Sequence, residues 1–263
     1  MRVVNRYGLA GMSNWSDSFE SGNFSAGDWW WGQDDPSYAH RSVVSAAAAD
    51  IPTLSGSDVA RFETTPDDIA AGRNHAKVYK AFGTRLGTPD SSSPSNVSGT
   101  YSAWYYLPQT YKVPTDTWVN IFQFKEKYRT AAGNTSDPSW WIQLKDMPWA
   151  QSQASVYGTP VPQGSRPDQP VAFVNRWDND WKTKRNFVAL PLGRWFEIKA
   201  VVRQGHSIDF FIDGKLLQTV SSTEYPVGPQ KGSASMEWIW GMGNYSTGPN
   251  GPLYVDQAAY SGS

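Results

Sequence analysis

Apolar and polar residues alternate along most of this chain in short segments, and turn-forming residues separate one segment from the next. In the segment 195–203 every second residue is apolar. These apolar residues are Phe196, Ile198, Ala200 and Val202. Alternation with a period of two is typical of a β-strand with one buried face, whereas the longer period of a helix is nearly absent here. The pattern therefore predicts an all-β protein.

Turn signals divide this pattern into individual strands. Asp213-Gly214 suits a two-residue hairpin, because both residues readily adopt positive φ, and it predicts that Ser207–Ile212 pairs with Lys215–Val220. The same rules predict strands over Arg73–Phe82, Tyr101–Leu107, Trp118–Tyr128, Trp140–Lys145, Met236–Tyr245 and Leu253–Tyr260. Residues 19–32 are predicted to form an opening strand and turn, residues 45–50 a short helix-like segment, and residues 148–170 a long loop.

The length of 263 residues fits one large sandwich of two antiparallel sheets. The chain contains no cysteine, and a chain of this size buries a sufficient core without disulfides. No internal repeat divides it. We therefore predict a single domain over residues 19–263, preceded by an N-terminal extension of residues 1–18.

The composition excludes some classes of binding partner and favours others. A net charge of −1 excludes a globally basic nucleic-acid binder, and no apolar run reaches the length of a membrane span. Fourteen Trp, thirteen Tyr and eleven Phe exceed what one core needs, and exposed aromatic rings suit the faces of sugars. Residues 1–18 lack the apolar core of a signal peptide, so the protein is either cytosolic or numbered without its signal.

Two predicted strands each carry a polar stripe opposite an apolar face. In the strand 118–128 the stripe contains Gln123, Lys125 and Lys127, alternating with a core face that includes Asn120. In the strand 73–82 the stripe consists of Arg73, His75, Lys77 and Tyr79. These residues are cationic or neutral, which favours a groove for a polyanion, although two stripes that simply face water give the same pattern.

With Tyr245 these stripes supply the groups that β-elimination from a uronic acid requires. The C6 carboxylate must be neutralised, and Gln123 is the best candidate, assisted by Arg73 or Asn244. A base must remove the C5 proton and an acid must protonate the leaving O4. His75 and Tyr245 divide these two roles, and the sequence leaves open which residue has which role. Lys77, Lys125 and Lys127 are expected to hold neighbouring carboxylates.

Several sequence blocks in a fixed order resemble the heparin-lyase, glucuronan-lyase and alginate-lyase group of polysaccharide lyases. The match extends from about residue 61 to residue 260 and includes Arg73-Asn-His-Ala-Lys77, the block 118–125 and Gly243-Asn-Tyr245. The resemblance implies a concanavalin-like β-jelly roll with a concave catalytic sheet. Lys125 stands where the alginate-lyase pattern has histidine, and this departure favours a glucuronan-like substrate.

Further expectations concern metals and the groove surroundings. Glu20 and Asp256 are candidate ligands of a structural Ca²⁺ ion, while the chemistry itself needs no cofactor. Lys182 and Arg185 are expected on a basic loop that covers the groove. The protein is predicted to be a secreted monomer that binds an acidic polysaccharide and neither nucleic acid nor membrane. A non-catalytic carbohydrate-binding or lectin domain is the main alternative. A glycoside hydrolase is disfavoured, because this sequence lacks the pair of catalytic carboxylates that such an enzyme requires.

Overall fold

The computed structural model describes residues 14–29, 39–82, 96–130, 133–164, 166–176, 185–228 and 235–263, without the side chains of 127–130, 133–138 and 235–237. Fourteen strands and two helices form within these residues. The strands are β1 (Asn14–Asp17), β2 (His40–Ser45), β3 (Asp58–Thr64), β4 (His75–Phe82), β5 (Gly99–Tyr106), β6 (Val119–Thr130), β7 (Gly133–Lys145), β8 (Val171–Arg176), β9 (Val188–Ala189), β10 (Trp195–Arg203), β11 (Ser207–Ile212), β12 (Lys215–Ser221), β13 (Ser235–Ser246) and β14 (Asn250–Gly262). The helices are α1 (Pro66–Ala70) and α2 (Met147–Tyr157).

The strands form two antiparallel sheets. The first contains eight strands in the order β12-β11-β10-β5-β14-β3-β2, with β1 paired to β14, and the second contains six in the order β4-β13-β6-β7-β8-β9. The predicted hairpin is present, with β11 and β12 joined at Asp213-Gly214, where both residues have positive φ. This arrangement confirms the predicted all-β jelly roll.

A large hydrophobic core lies between the two sheets. Each apolar residue of the alternating β10 segment is at most 1% exposed and belongs to this core. Trp240 and Phe124 enter it from the six-stranded sheet. Trp29 closes one end, 3% exposed and 5.0 Å from the ring of Trp15. Aromatic contacts of this kind account for much of the high aromatic content.

A β-bulge in β6 changes which residues face the core. Ile121 has no partner in β7, because Asn120 pairs with Gln143 and Phe122 pairs with Ile142. The extra residue reverses the alternation at that point, so Val119 and Ile121 lie in the core rather than on the predicted polar stripe. The predicted alternation therefore fails at Asn120, which lies on the same side as Gln123 and not on the opposite one.

Other predicted elements differ from the structure as well. Residues 46–50 form turns rather than a helix, residues 19–28 form turns and bends, and β1 places residues 14–17 in a sheet ahead of the predicted domain boundary. The predicted loop 148–170 contains α2. Asp146 caps this helix by accepting a hydrogen bond from the backbone N–H of Trp149 at 2.9 Å, and Gly158 ends it with φ of 61°. None of the described helices is long and apolar enough to cross a membrane.

Candidate active site

The outer face of the six-stranded sheet, called the groove face below because the sequence predicts a groove there, carries the polar stripes of the neighbouring strands β4, β13 and β6. Strand register sets Tyr245 of β13 directly beside His75 of β4 and Asn120 of β6. Gly241, four residues before Tyr245 in β13, lies between Tyr79 of β4 and Gln123 of β6 on the same face. A Cβ atom on Gly241 would come within 2.7 Å of the Tyr79 ring, so the glycine allows side chains of β4 and β6 to meet across β13.

His75 and Tyr245 form a stacked pair on this face. Their ring centroids are 3.9 Å apart with an interplanar angle of 20°, and the ring of Trp118 packs edge-on against Tyr245 at 4.8 Å. Both members of the pair are half-buried. The structure therefore brings together the two residues that were predicted to exchange protons with a substrate.

Two carboxamides lie next to this pair and share one lysine. The Nζ atom of Lys77 donates hydrogen bonds to Asn120 Oδ1 at 2.7 Å and to Gln123 Oε1 at 2.8 Å. It also lies 5.7 Å from the centre of the Tyr245 ring. Lys77 is fully buried, so it lies beneath the site and does not reach a neighbouring sugar carboxylate as was expected of it.

Burial and a nearby positive charge shift the pKa of Tyr245 in opposite directions. Burial raises the pKa of Tyr245 above its ordinary value of 10.0, and the charge of Lys125 partly opposes that shift. Lys125 is partly exposed on the groove face, with its Nζ 4.7 Å from the centre of the Tyr79 ring. Tyr245 therefore carries its proton at neutral pH, next to a cation that stabilises the phenolate when the proton leaves.

A second polar group extends this face onto β7 and β8. Gln143 Oε1 accepts hydrogen bonds from Trp141 Nε1 at 3.0 Å and from Asn175 Nδ2 at 2.8 Å. These residues were not predicted as site residues. Trp141 and Gln143 could have been found from the sequence, because they alternate with apolar neighbours. Asn120 could not, because the bulge in β6 changes the face on which it lies.

Asn244 was predicted to assist Gln123, and the structure places it elsewhere. It pairs with Ala76, whose side chain lies in the core, and it is fully buried. Strand alternation therefore directs Asn244 away from its neighbour Tyr245. Neither its side-chain nitrogen nor its oxygen has a hydrogen-bond partner among the described residues.

Arg73 was the other predicted assistant of Gln123, and it is engaged by a carboxylate. Its Nε donates to Asp68 Oδ1 at 2.9 Å, and the other oxygen of Asp68 lies 2.6 Å from His40 Nδ1. Burial alone would raise the pKa of Asp68, but hydrogen bonds from Thr65, His40 and Arg73 outweigh it and lower that pKa to about 2. Asp68 therefore holds the guanidinium of Arg73 beside α1, and the role of Arg73 as an assistant of Gln123 stays a prediction.

The basic loop predicted to cover the groove is described only in part. Arg185 is 4% exposed and hydrogen-bonds through its guanidinium to the backbone oxygen of Val174, so it packs into the protein instead of binding substrate. Lys182 and the side chain of Lys127 lie outside the described residues.

The two candidate calcium ligands, Glu20 and Asp256, both accept hydrogen bonds from the same loop. Glu20 receives the backbone N–H groups of Ser57 and Asp58 at 3.0 and 2.9 Å, and Asp256 receives the hydroxyl of Ser55 at 3.4 Å. No group of three or more acidic or histidine side chains within the described ranges is arranged around a common metal position. These hydrogen bonds give both carboxylates a structural role, and calcium binding stays a prediction.

Asp256→Asn is expected to stabilise the protein near neutral pH. Burial raises the pKa of Asp256 to about 6 from 3.8, and the charge of Glu20 adds to the shift. Because the folded state then holds this proton more tightly than the unfolded chain, stability falls as pH rises through this interval. The substitution should raise the free energy of unfolding at about pH 7 by up to ~3 kcal/mol and change it little at about pH 4.

Thermal unfolding at both pH values, with chelator and with calcium, measures this effect. A higher melting temperature of the Asp256→Asn variant in chelator is the expected result. If calcium bound between Glu20 and Asp256, the variant would instead melt at a lower temperature than the parent when calcium is present. A lower melting temperature in chelator would contradict the account of the Asp256 charge.

The structure is similar to that of an endo-β-1,4-glucuronan lyase from the fungus Trichoderma reesei, at 12% identity and a TM-score of 0.50, covering 95% of this chain and 94% of that one. It is similar to the cellulose-induced protein Cip1 at 14% identity and a TM-score of 0.50, covering 94% and 96%. At such identities the likeness shows the fold alone.

A search of curated protein sequences finds no match. A family model described as polysaccharide lyase matches residues 19–258, which include the strands of both sheets that form the core and the groove face. Because this match spans most of the chain, the chain belongs to the polysaccharide lyase family, as its ordered sequence blocks predicted.

Proposed function

We propose that this protein is a secreted lyase that cleaves a uronic-acid polysaccharide by β-elimination, with a glucuronan-like polymer as the preferred substrate. The observation that carries the proposal is the stacked His75–Tyr245 pair next to the paired carboxamides of Asn120 and Gln123. Proton-transfer groups and donors for a carboxylate are thus within one small area of the groove face.

The carboxamides account for the first requirement of the reaction. The proton on C5 of a uronate becomes acidic only when the charge of the adjacent C6 carboxylate is neutralised. The amide nitrogens of Gln123 and Asn120 are hydrogen-bond donors, because their oxygens already accept from Lys77. Donors placed where negative charge grows in the transition state contribute strongly to the rate.

The stacked pair accounts for the proton transfers. Since burial raises its pKa, Tyr245 is protonated and suits the role of acid toward O4, which leaves His75 as the base toward C5. The C5–H bond breaks as the base takes the proton, its electrons form the C4=C5 double bond, and the C4–O4 bond breaks as O4 gains the phenol proton. Return of the proton from the imidazolium to the phenolate through solvent restores both groups.

The charge of the groove supports a polyanionic substrate. Lys125 is partly exposed above the ring of Tyr79, on the same face as Gln123, and adds positive charge to this face. The fold likeness to a glucuronan lyase is consistent with β-1,4-linked glucuronate as the first polymer to test. Polymers of this kind occur outside cells, which is the basis for proposing secretion.

The proposal is tested by incubating the protein with glucuronan, alginate and heparan sulfate, and with carboxyl-reduced glucuronan as the matched neutral polymer. Elimination creates an unsaturated uronate whose ultraviolet absorbance is followed over time. Absorbance that rises with a uronate polymer and not with the reduced polymer supports the proposal. Binding of a uronate polymer without any rise overturns it in favour of a carbohydrate-binding domain.

A further inference from the structure

Lys77 has an unusual environment for a charged side chain. It is fully buried on the site side of β4, and no carboxylate pairs with it in the portion of the chain that the structure describes. The polar atoms that it contacts are Asn120 Oδ1 and Gln123 Oε1. Burial lowers its pKa well below 10.5, and the charge of Lys125 lowers it further. A buried charge in this setting is costly, which points to a function other than stability.

The two hydrogen bonds fix the orientation of both carboxamides. An ammonium group is a donor only, so each amide must turn its oxygen toward Lys77 and its NH₂ group away. Neither NH₂ nitrogen hydrogen-bonds to another described residue, and neither is among the fully buried polar atoms that lack a partner. Each NH₂ nitrogen therefore keeps a small exposed area, although Gln123 is only 1% and Asn120 only 3% exposed.

We propose that Lys77 is a positioning residue that orients and polarises the carboxamides of Asn120 and Gln123 so that together they form the recognition site for the substrate carboxylate. The proposal rests on the function proposed above and adds how the site selects a uronate. The hydrogen bonds that Lys77 donates to the amide oxygens make the N–H groups stronger donors, because hydrogen bonds in a chain polarise one another. The carboxylate of a bound substrate also supplies the negative counter-charge that the ammonium form of Lys77 lacks.

The same arrangement explains why two uncharged amides, rather than an exposed arginine, face the sugar carboxylate. The negative charge on C6 grows as the C5 proton leaves, and a fixed pair of donors responds to that growth without rearranging. Lys77 therefore contributes more in the transition state than in substrate binding. We expect its loss to reduce kcat more strongly than it changes KM.

Lys77→Met tests the proposal, with Lys80→Met as the matched control. Lys80 lies on the same strand and is also buried, but its Nζ donates to the backbone oxygen of Gly27 at 2.8 Å, away from the groove face. Methionine keeps the approximate length of the side chain and removes the charge. Neither change leaves a buried carboxylate unpaired, because Asp28, 3.9 Å from the Nζ atom of Lys80, is exposed. Kinetic constants, melting temperatures and affinities for glucuronate and for neutral oligosaccharides are measured for both variants.

We expect Lys77→Met to lower kcat by about 100-fold with a melting temperature close to that of the parent, and Lys80→Met to leave kcat unchanged. Affinity for the uronate oligosaccharide should fall in Lys77→Met, whereas affinity for a neutral one should stay the same. The chain contains no cysteine, so unfolding, aminoethylation and refolding of Lys77→Cys rebuilds a lysine analogue at that position alone. This treatment should restore most of the activity.

The remaining outcomes distinguish a failure of the positioning role of Lys77 from a failure of the lyase function. A kcat of Lys77→Met within about 3-fold of the parent, or a loss of activity that follows a loss of folding, overturns the positioning role while the lyase function stands. If the parent cleaves no polymer but binds uronate oligosaccharides, and Lys77→Met weakens only that binding, the positioning role stands and the lyase function fails. A parent protein that neither cleaves nor binds a uronate overturns both.

Discussion

Tyr245→Phe is expected to lower kcat for uronate cleavage by about 1000-fold or more. The change removes one hydroxyl group and leaves the ring stacked on His75 and packed against Trp118. Without the phenol no side chain donates a proton to the leaving O4, and a general acid of this kind contributes about 10²- to 10⁴-fold to a rate. The initial rate of formation of unsaturated uronate measures the effect.

Tyr106→Phe is the matched control for this substitution. Tyr106 is a buried tyrosine of β5 in the other sheet, where its ring packs against Trp195 at 5.4 Å. Its variant should keep the parent rate. His75→Ala should also lose most of the activity, because it removes the base. If Tyr245→Phe kept more than about a tenth of the parent kcat, Tyr245 would not be the acid.

Gly243→Ala is expected to have the largest effect on stability together with a loss of activity. Gly243 has φ of 125°, which side chains rarely adopt, and an added Cβ would come within 2.4 Å of the backbone oxygen of Ala76 and 2.8 Å of the Phe62 ring. Backbone strain and overpacking together should lower the free energy of unfolding by about 3 kcal/mol or more. Relief of the clash would separate β4 from β13, which carry His75 and Tyr245.

The melting temperature of Gly243→Ala should fall by about 10 °C, measured by thermal unfolding alongside Gly251→Ala. Gly251 lies in β14, and an added Cβ there would have no atom within 4 Å, so that variant should melt with the parent. Equal melting temperatures for Gly243→Ala and the parent would show that the backbone of β13 adapts to a side chain.

Much of the fold could be predicted because alternation and turn chemistry are local. Strand β10 occupies the predicted span, and the Asp213-Gly214 turn forms the predicted hairpin. Helix α2 was missed although its signals were present, with Asp146 ahead of Pro148 and Gly158 at the end. The composition of the following segment, rich in Gln, Pro and Gly, outweighed these capping residues in the prediction.

The candidate site could be predicted only as far as strand alternation held. His75 and Tyr245 lie on the groove face because β4 and β13 pair without a register shift, and Gln123 lies there because it follows the bulge in β6. Ile121 breaks the pattern, because a bulge depends on pairing with a neighbouring strand that the sequence does not reveal. Asn120 therefore entered the site only through the structure.

Two of the predicted substrate-binding cations have partners within the protein. The side chains of Arg73 and Arg185 are engaged by Asp68 and by the backbone oxygen of Val174, respectively. A positive charge in the sequence identifies a candidate for binding an anion, but the tertiary fold decides whether another partner satisfies it first. Lys77 illustrates the opposite case, since it is buried by the fold and still faces the site through two amides.

Cleavage of a uronate polymer in water enriched in ¹⁸O distinguishes elimination from hydrolysis most directly. Elimination adds no water, so mass spectrometry should find products with an unsaturated terminal uronate and without ¹⁸O from the bond cleavage. The sample must be analysed before the reducing end exchanges its oxygen with solvent. Saturated products that gain one ¹⁸O for each cleaved bond would show hydrolysis and would contradict the roles given to His75, Tyr245 and the carboxamide pair.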